Sequence, residues 1–459
     1  MIRTLPSAEP DAAHTAVPRG PRRDLYAAGA AVLLVTAAVL VGRHIQGTSR
    51  TLFVSWPPLL ASWGPHVGPG TPAAVVVAIA VVAYGPVLAA RLPWRALLPA
   101  AWGTATAWIL SLALIDGWDR GIARRLTTRY EYLQVIDRFH DIPAALRDFT
   151  HHILLHSPDN WPAHIAGHPP AATLTFVLLD RIGLRGGGWA GVWCVTVGAT
   201  ACVAVLVTIR ALADEALARR AAPFLVLAPA AVWMGTSADA YFAAVAAWAV
   251  ALSALAVTRR SLGWAGASGL LFGLTCYLSY GLTLVALIVA AVLALGRNGV
   301  RERPALLVPL LTGAAVVPAA FTLAGFDWWE AYHLLVTRYY QGAGGIRPYG
   351  YWVWANLACT VLIVGLATAA GLRRTGAVLI RRRTGSRADV RLAFLVAAAL
   401  PALLVADLSG MSKAETERIW IPFALWLLPA CAFLPRPRAW LTAQAVLAVL
   451  LNHLLLTGW

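Results

Sequence analysis

Long apolar stretches dominate this chain and leave it few ways to fold. Runs of mainly apolar residues lie near 25–43, 71–90, 96–115, 169–184, 188–209, 222–238, 241–258, 264–279, 281–296, 305–325, 352–372, 391–408, 420–434 and 439–457. A helix of about 20 apolar residues spans the hydrocarbon core of a bilayer, where backbone groups must be satisfied within the segment itself. The expected fold class is therefore all-α, a polytopic integral membrane protein. Only 13% of the 459 residues are charged, against about 25% in soluble domains. That excludes an ordinary soluble enzyme, a disordered chain and a simple nucleic-acid binder, despite a formal net charge of +16.

The charges report orientation. If the N-terminus is cytoplasmic, the segments 1–24, 91–95, 259–260, 297–303, 373–391 and 435–438 carry 20 of the 37 basic residues. Such asymmetry is the signature of cytoplasmic loops. Of the 21 acidic residues, 13 lie on or beside the opposite face. The loop charges flanking the two ends fit an odd number of crossings, about 13 at ordinary span lengths. One short run between 169 and 238 then fails to cross, or 264–296 forms a single bent crossing. The expected organisation is a cytoplasmic basic tail (1–24), N-terminal transmembrane helices (25–115), a long outer loop (116–168) and a transmembrane core (169–459) with outer loops 326–351 and 409–419. The polar start followed by a long apolar run reads as an uncleaved signal-anchor. The five cysteines all sit within apolar runs without CxxC spacing, so they read as small hydrophobes.

The long loop holds the first candidate chemistry. Asp116 and Asp119 close an apolar run in SLALIDGWDRG. A carboxylate at the membrane boundary can be partly desolvated, which raises its basicity toward that of a general base; equally, an Asp-Gly pair can simply end a helix. Leu146, Phe149 and Ile153 recur at helical spacing, as expected of a segment lying along the membrane surface. The loop ends in WPAHIAGHPP, where His164 and His168 stand one helical turn apart and Pro170 suits a helix start. These histidines either begin the helix or face a phosphate or acceptor. His151, His152 and His156 lack the Glu of an HExxH zinc motif. No cofactor is required by any motif. A divalent cation held by carboxylates stays open, because spacing identifies no ligands for it.

Three further features stand out in so charge-poor a chain. Asp239, in WMGTSADAYF, is flanked by apolar runs, and an ionisable residue there is a functional candidate or a helix end. The segment LSGMSKAETERIWIP packs Lys413, Glu415, Glu417 and Arg418 between two apolar runs. Arg and Lys are suited to holding a phosphate, although such a turn can also pair its charges internally. The loop FDWWEAYHLLVTRYYQGAGGIRPYGYWVW is crowded with Trp and Tyr, which fits an interfacial belt or a sugar or lipid groove.

Taken in order, the long first outer loop, the Asp at its start, the HPP at 168–170, the later Asp and the charged loop before the final helices resemble the GT-C superfamily. Its members are integral-membrane glycosyltransferases using polyprenyl-phosphate-linked sugars. The HPP is similar to that of protein O-mannosyltransferases, and the block from Asp116 to Asp180 with SKAETERIW resembles actinobacterial GT-C-like membrane proteins. The resemblance implies that Asp116, with Asp119 as alternate, is the acidic residue of the catalytic loop. It likewise implies that His168 is the HPP histidine and Arg418 the late basic residue near the donor phosphate. The chain departs from the pattern in placing two additional apolar runs before the loop.

The expected function is inverting transfer of a sugar from a polyprenyl phosphate to an envelope glycan or glycoprotein on the outer face of the cell membrane. Asp116 takes the acceptor proton, while Arg418, Lys413 and His168 stabilise the leaving phosphate; His164, Glu417 and Asp239 complete the candidate substrate-binding set. No Gly-rich nucleotide loop is present, in keeping with a lipid-linked donor. The alternative is a transporter or flippase of a lipid-linked anion, in which the same basic residues bind phosphate without a base. A structural subunit of an envelope assembly is a third reading.

Overall fold

The computed structural model describes residues 20–383 and 385–458. Most of the basic tail read from the sequence, residues 1–19, lies outside the described residues. The protein is a multi-pass membrane protein built almost entirely of helices, with one short β ribbon. Among the described residues, eight helices are long and apolar enough to cross a membrane: Pro21–Thr48, Thr71–Arg91, Trp94–Asp116, Gly186–Leu212, Ala238–Arg259, Pro304–Leu323, Tyr349–Ile380 and Arg387–Leu408. Shorter apolar helices cover Leu262–Leu278, Tyr280–Leu295 and Ile421–Phe433.

Ala238–Arg259 is the central helix. Its sequence is hydrophobic on every side and rich in alanine, so neighbours approach it from all directions and almost every side chain is buried. Pro304–Leu323 is the opposite case, with none of its residues buried from Leu307 to Leu323 and Val308, Leu311 and Leu323 strongly exposed. It rests on Leu262–Leu278 through small residues. A Cβ on Gly269 would lie 2.0 Å from the Leu310 carbonyl oxygen, so only glycine permits this approach, as in closely packed membrane helices.

Side-chain contacts divide the molecule into two ends. At the basic end, Asp24 is clamped by Arg373 and Arg374, each at 2.6 Å. Arg219 reaches the carbonyls of Ala89 and Leu92, Arg303 that of Arg260, and Arg391 that of Leu295. The other end gathers the segments 49–70, 117–169, 324–348 and 409–420, and is here named the loop end. There β1 (Ala61–Trp63) pairs antiparallel with β2 (Leu455–Thr457), tying the first loop to the last helix.

Three segments are shaped by packing, and the first is one of the short runs between 169 and 238 that the sequence allowed not to cross. The run beginning at 169 forms the helix Pro170–Arg181, which does not pass to the basic end. It starts beside Tyr132 and His168, and its last residue, Arg181, donates to the carbonyls of Phe139 and His140 in the long loop. Its apolar face is covered by protein: Phe176 stacks on Tyr132 and meets Tyr241 edge-on. The segment 264–296 is broken at Ser279, where extended backbone and a 3-10 turn separate two helices. The long loop also packs differently from the expected surface segment. Leu146, Phe149 and Ile153 are buried, with Phe149 against Trp161 and Phe326. Their spacing marks a covered face, and the cover is the protein itself.

Candidate functional site

Two charged centres form at the loop end. The first is built on Asp116. The helix from Trp94 closes in a 3-10 turn at this residue, and Gly117 follows with φ 77°, turning the chain out of the helical path. Asp116 Oδ2 accepts from Arg125 Nη2 at 2.6 Å, and Oδ1 lies 2.9 Å from His66 Nε2. Arg120 stands farther off at 3.7 Å. The other ring nitrogen of His66, Nδ1, faces the Gly64 carbonyl at 2.8 Å. Arg125 also donates to the Thr457 carbonyl at 3.0 Å. Burial lowers the Arg125 pKa to about 10, and the neighbouring Asp116 charge opposes that shift. Asp119 belongs elsewhere: its carboxylate is largely exposed and pairs with Arg124 at 2.7 Å.

The second centre is built on Arg418, in the short helix Thr416–Ile419. Its guanidinium is buried, yet it pairs with Asp239 and, at 3.0 Å, with Glu415. It also donates to His164 Nε2 at 3.3 Å. His164 passes the contact on, its Nδ1 lying 2.8 Å from Glu131 Oε1. Asp239 stands in the first turn of the central helix, where the exposed N–H groups favour a negative charge. His168 donates from Nδ1 to the His164 carbonyl at 2.7 Å, and its ring lies against Tyr132 and Phe242.

The two pKa directions in this centre are opposite. Burial works to lower the Arg418 pKa, but the carboxylates of Asp239, Glu415 and Glu131 outweigh it and hold the guanidinium charged. Burial pushes His168 down to about 4, with the nearby Asp239 charge opposing, so the ring is neutral at physiological pH.

Glu417 points the other way from Arg418. Its Oε1 accepts from the Leu60 backbone N–H at 2.8 Å, while Oε2 is buried without a hydrogen-bond partner among the described residues. Burial raises its carboxyl to about 7. Lys413 is turned from the centre as well: its ammonium donates to the Gly344 carbonyl at 2.8 Å and lies over the Tyr340 ring. Beside the aromatic loop, a cavity of about 630 Å³ is lined by Tyr277, Phe326, Asp327, Trp328 and Trp329 among others.

The β ribbon joins the centres. Leu60, next to β1, bonds Glu417 through its N–H and accepts from Gly458 through its carbonyl. Thr457, in β2, accepts from Arg125. Of the sequence candidates, Arg418, Asp239 and His164 are thus in direct contact, with His168 adjacent and Glu417 behind. Asp116 occupies the separate centre, and Asp119 and Lys413 belong to neither. The sequence reading missed His66, Arg125, Glu131 and Tyr132. The one signal for the last two was a charged residue between two tyrosines in RYEY. Among the described residues, no group of three or more His, Cys, Asp or Glu is arranged to hold a metal ion.

No family model matches the chain, and no curated protein does. Among solved structures it is similar to the oligosaccharyltransferase of Archaeoglobus fulgidus. With the complex containing Zn and sulfate, the TM-score is 0.43 at 16% identity, covering 78% of this chain and 53% of that one. With the form tethered to an acceptor peptide, the TM-score is 0.41 at 15% identity, covering 74% and 49%. The chain therefore spans about half the length of that protein.

Proposed function

We propose that this protein is a membrane glycosyltransferase that moves a sugar from a polyprenyl-phosphate donor to an envelope glycan or glycoprotein, with inversion, at the extracytoplasmic face of the cell membrane. The observation that carries the reading is the linkage of two buried charged centres through one ribbon at the loop end. One presents a carboxylate, Asp116; the other presents a charged guanidinium, Arg418. A transfer of this kind needs a base for the acceptor hydroxyl and positive charge for the departing phosphate.

In this reading Asp116 takes the acceptor proton. Arg125 and His66 hold its two oxygens in one orientation, so the carboxylate does not have to be ordered at the moment of reaction. Arg418 meets the negative charge that develops as the bond from sugar to phosphate breaks. His168, neutral and fixed through Nδ1, leaves Nε2 for a hydrogen bond to substrate. His164 and Glu131 position Arg418. The aromatic-lined cavity beside Trp328 and Trp329 gives stacking surface for sugar or lipid.

The test uses purified protein in liposomes, a panel of radiolabelled polyprenyl-phosphate sugars and an envelope-glycan extract. Wild type is expected to transfer label, and Asp116→Asn to lose at least about a hundredfold in rate, the usual contribution of a general base. Failure of both proteins to transfer label, with labelled lipid crossing the bilayer equally well in each, overturns the enzyme reading in favour of a flippase.

A further inference from the structure

Arg418 already holds anions, and one of them differs from the rest. The Asp239 and Glu131 side chains are about as buried as Arg418 itself, whereas Glu415 is 26% exposed against 5% for Arg418. Glu415 therefore closes the outer side of the guanidinium, on Nη2, at 3.0 Å. The backbone delivering it is unusual. Ala414 and Glu415 carry φ of 73° and 64° in succession, a left-handed conformation that costs a non-glycine residue energy and persists only where surrounding contacts hold it.

Charge counting adds a constraint. Around the single guanidinium stand Asp239, Glu415 and, through His164, Glu131. A phosphate added to this set would place a fourth anion in a buried site whose positive charge comes from Arg418 and, farther off, Arg347. The singly charged phosphodiester of a polyprenyl-phosphate sugar that replaces Glu415 leaves the balance unchanged, because one singly charged oxyanion leaves as another arrives.

We propose that Glu415 occupies the place of a phosphate oxyanion on Arg418, and that the lipid-linked phosphate binds by exchange with it. This inference rests on the glycosyltransferase reading and deepens it by naming the residue that the donor must displace. On exchange the Glu415 carboxylate turns to solvent, the left-handed pair at 414–415 is released, and phosphate oxygens take Nη2. Asp239 and His164 stay in place and keep the guanidinium oriented. The loop thus sets specificity: only a ligand offering an oxyanion at this position can compete with the resident carboxylate.

The experiment measures binding of farnesyl phosphate, and separately of inorganic phosphate, to the detergent-solubilised full chain. Wild type is compared with Glu415→Gln, Glu415→Asn and Arg418→Lys. Asn tolerates the left-handed backbone, so Glu415→Asn removes the charge while keeping the loop conformation, and melting curves confirm that each variant is folded. Both Glu415 variants are expected to bind farnesyl phosphate roughly tenfold more tightly than wild type, equivalent to about 1.4 kcal/mol, and Arg418→Lys to bind it less tightly. Tightening for farnesyl phosphate alone assigns a lipid-linked phosphate to the site, and tightening for both probes assigns the bare anion; either supports the exchange. Measurable binding by wild type with unchanged or weaker binding by both Glu415 variants overturns the exchange and leaves the glycosyltransferase reading standing. Absence of farnesyl phosphate binding in every variant removes the donor reading itself, and the exchange with it.

Discussion

Glu417 and His168 respond to acidity in opposite directions, and their variants expose it. Glu417 is fully buried, and burial lifts its carboxyl from an ordinary 4.5 to about 7. The folded protein then holds a proton that the unfolded chain has released, so this stability is complete below pH 4.5 and is lost as pH rises to about 7. His168 is lowered by burial from 6.5 to about 4, so its neutral ring stabilises the fold above pH 6.5 and that contribution is lost as pH falls to about 4. Each displacement corresponds to about 3 kcal/mol. Between pH 4.5 and 6.5 both act at once, and their slopes cancel. The assay is thermal unfolding in detergent across that window, comparing wild type, Glu417→Gln and His168→Phe. All other titrating groups are common to the three, so the differences isolate this pair. Glu417→Gln is expected to gain stability relative to wild type as pH rises, by about 3 kcal/mol over the two pH units, and His168→Phe to lose about as much. Two variants tilting in the same direction, or both parallel to wild type, would refute the reasoning.

Arg418→Met strands Asp239 and Glu415 without their cation and is expected to cost about 3–5 kcal/mol in unfolding measurements. Adding Asp239→Asn to that variant should recover part of the loss, whereas a purely additive double variant would contradict the pairing. Gly365 lies at φ 78° within the Tyr349–Ile380 helix, and a Cβ there would sit 1.6 Å from Gln444 Oε1. Gly365→Ala is therefore expected to destabilise by more than about 2 kcal/mol. In the same helix, Gly376 has nothing within 4 Å of the Cβ position, and Gly376→Ala should be neutral or stabilising by up to about 1 kcal/mol. Equal melting temperatures for the two glycine variants would count against the kink.

The helices were legible because a bilayer and a backbone together admit few alternatives. What an apolar face touches was not. Phe176 and Phe149 carry the same signal whether lipid or protein covers them, and here Tyr132 and Trp161 cover them. That is why the sequence left open which run between 169 and 238 fails to cross and read the 143–156 stretch as a surface segment. At the site, residue type and position picked out Arg418, Asp239 and His164, since charge is scarce in this chain. Their partners were hidden by distance along the sequence. His164 and Arg418 are 254 residues apart, and Arg125 reaches a backbone carbonyl 332 residues away. No local pattern encodes such pairings. For the same reason Asp116 and Arg418 read as one constellation, although they anchor two centres.

The β ribbon carries a consequence for how this protein is made. Its first strand follows the Pro21–Thr48 helix and must wait for its partner until all the other described helices have been synthesised. Until then the Leu60 carbonyl lacks Gly458, and Arg125 lacks the Thr457 carbonyl. A nascent chain halted before the ribbon closes can insert most of its helices, yet its two charged centres remain unjoined. Completion of the site is thereby deferred until the Pro437–Leu454 helix and β2 have been made, when the other described helices are present to receive it.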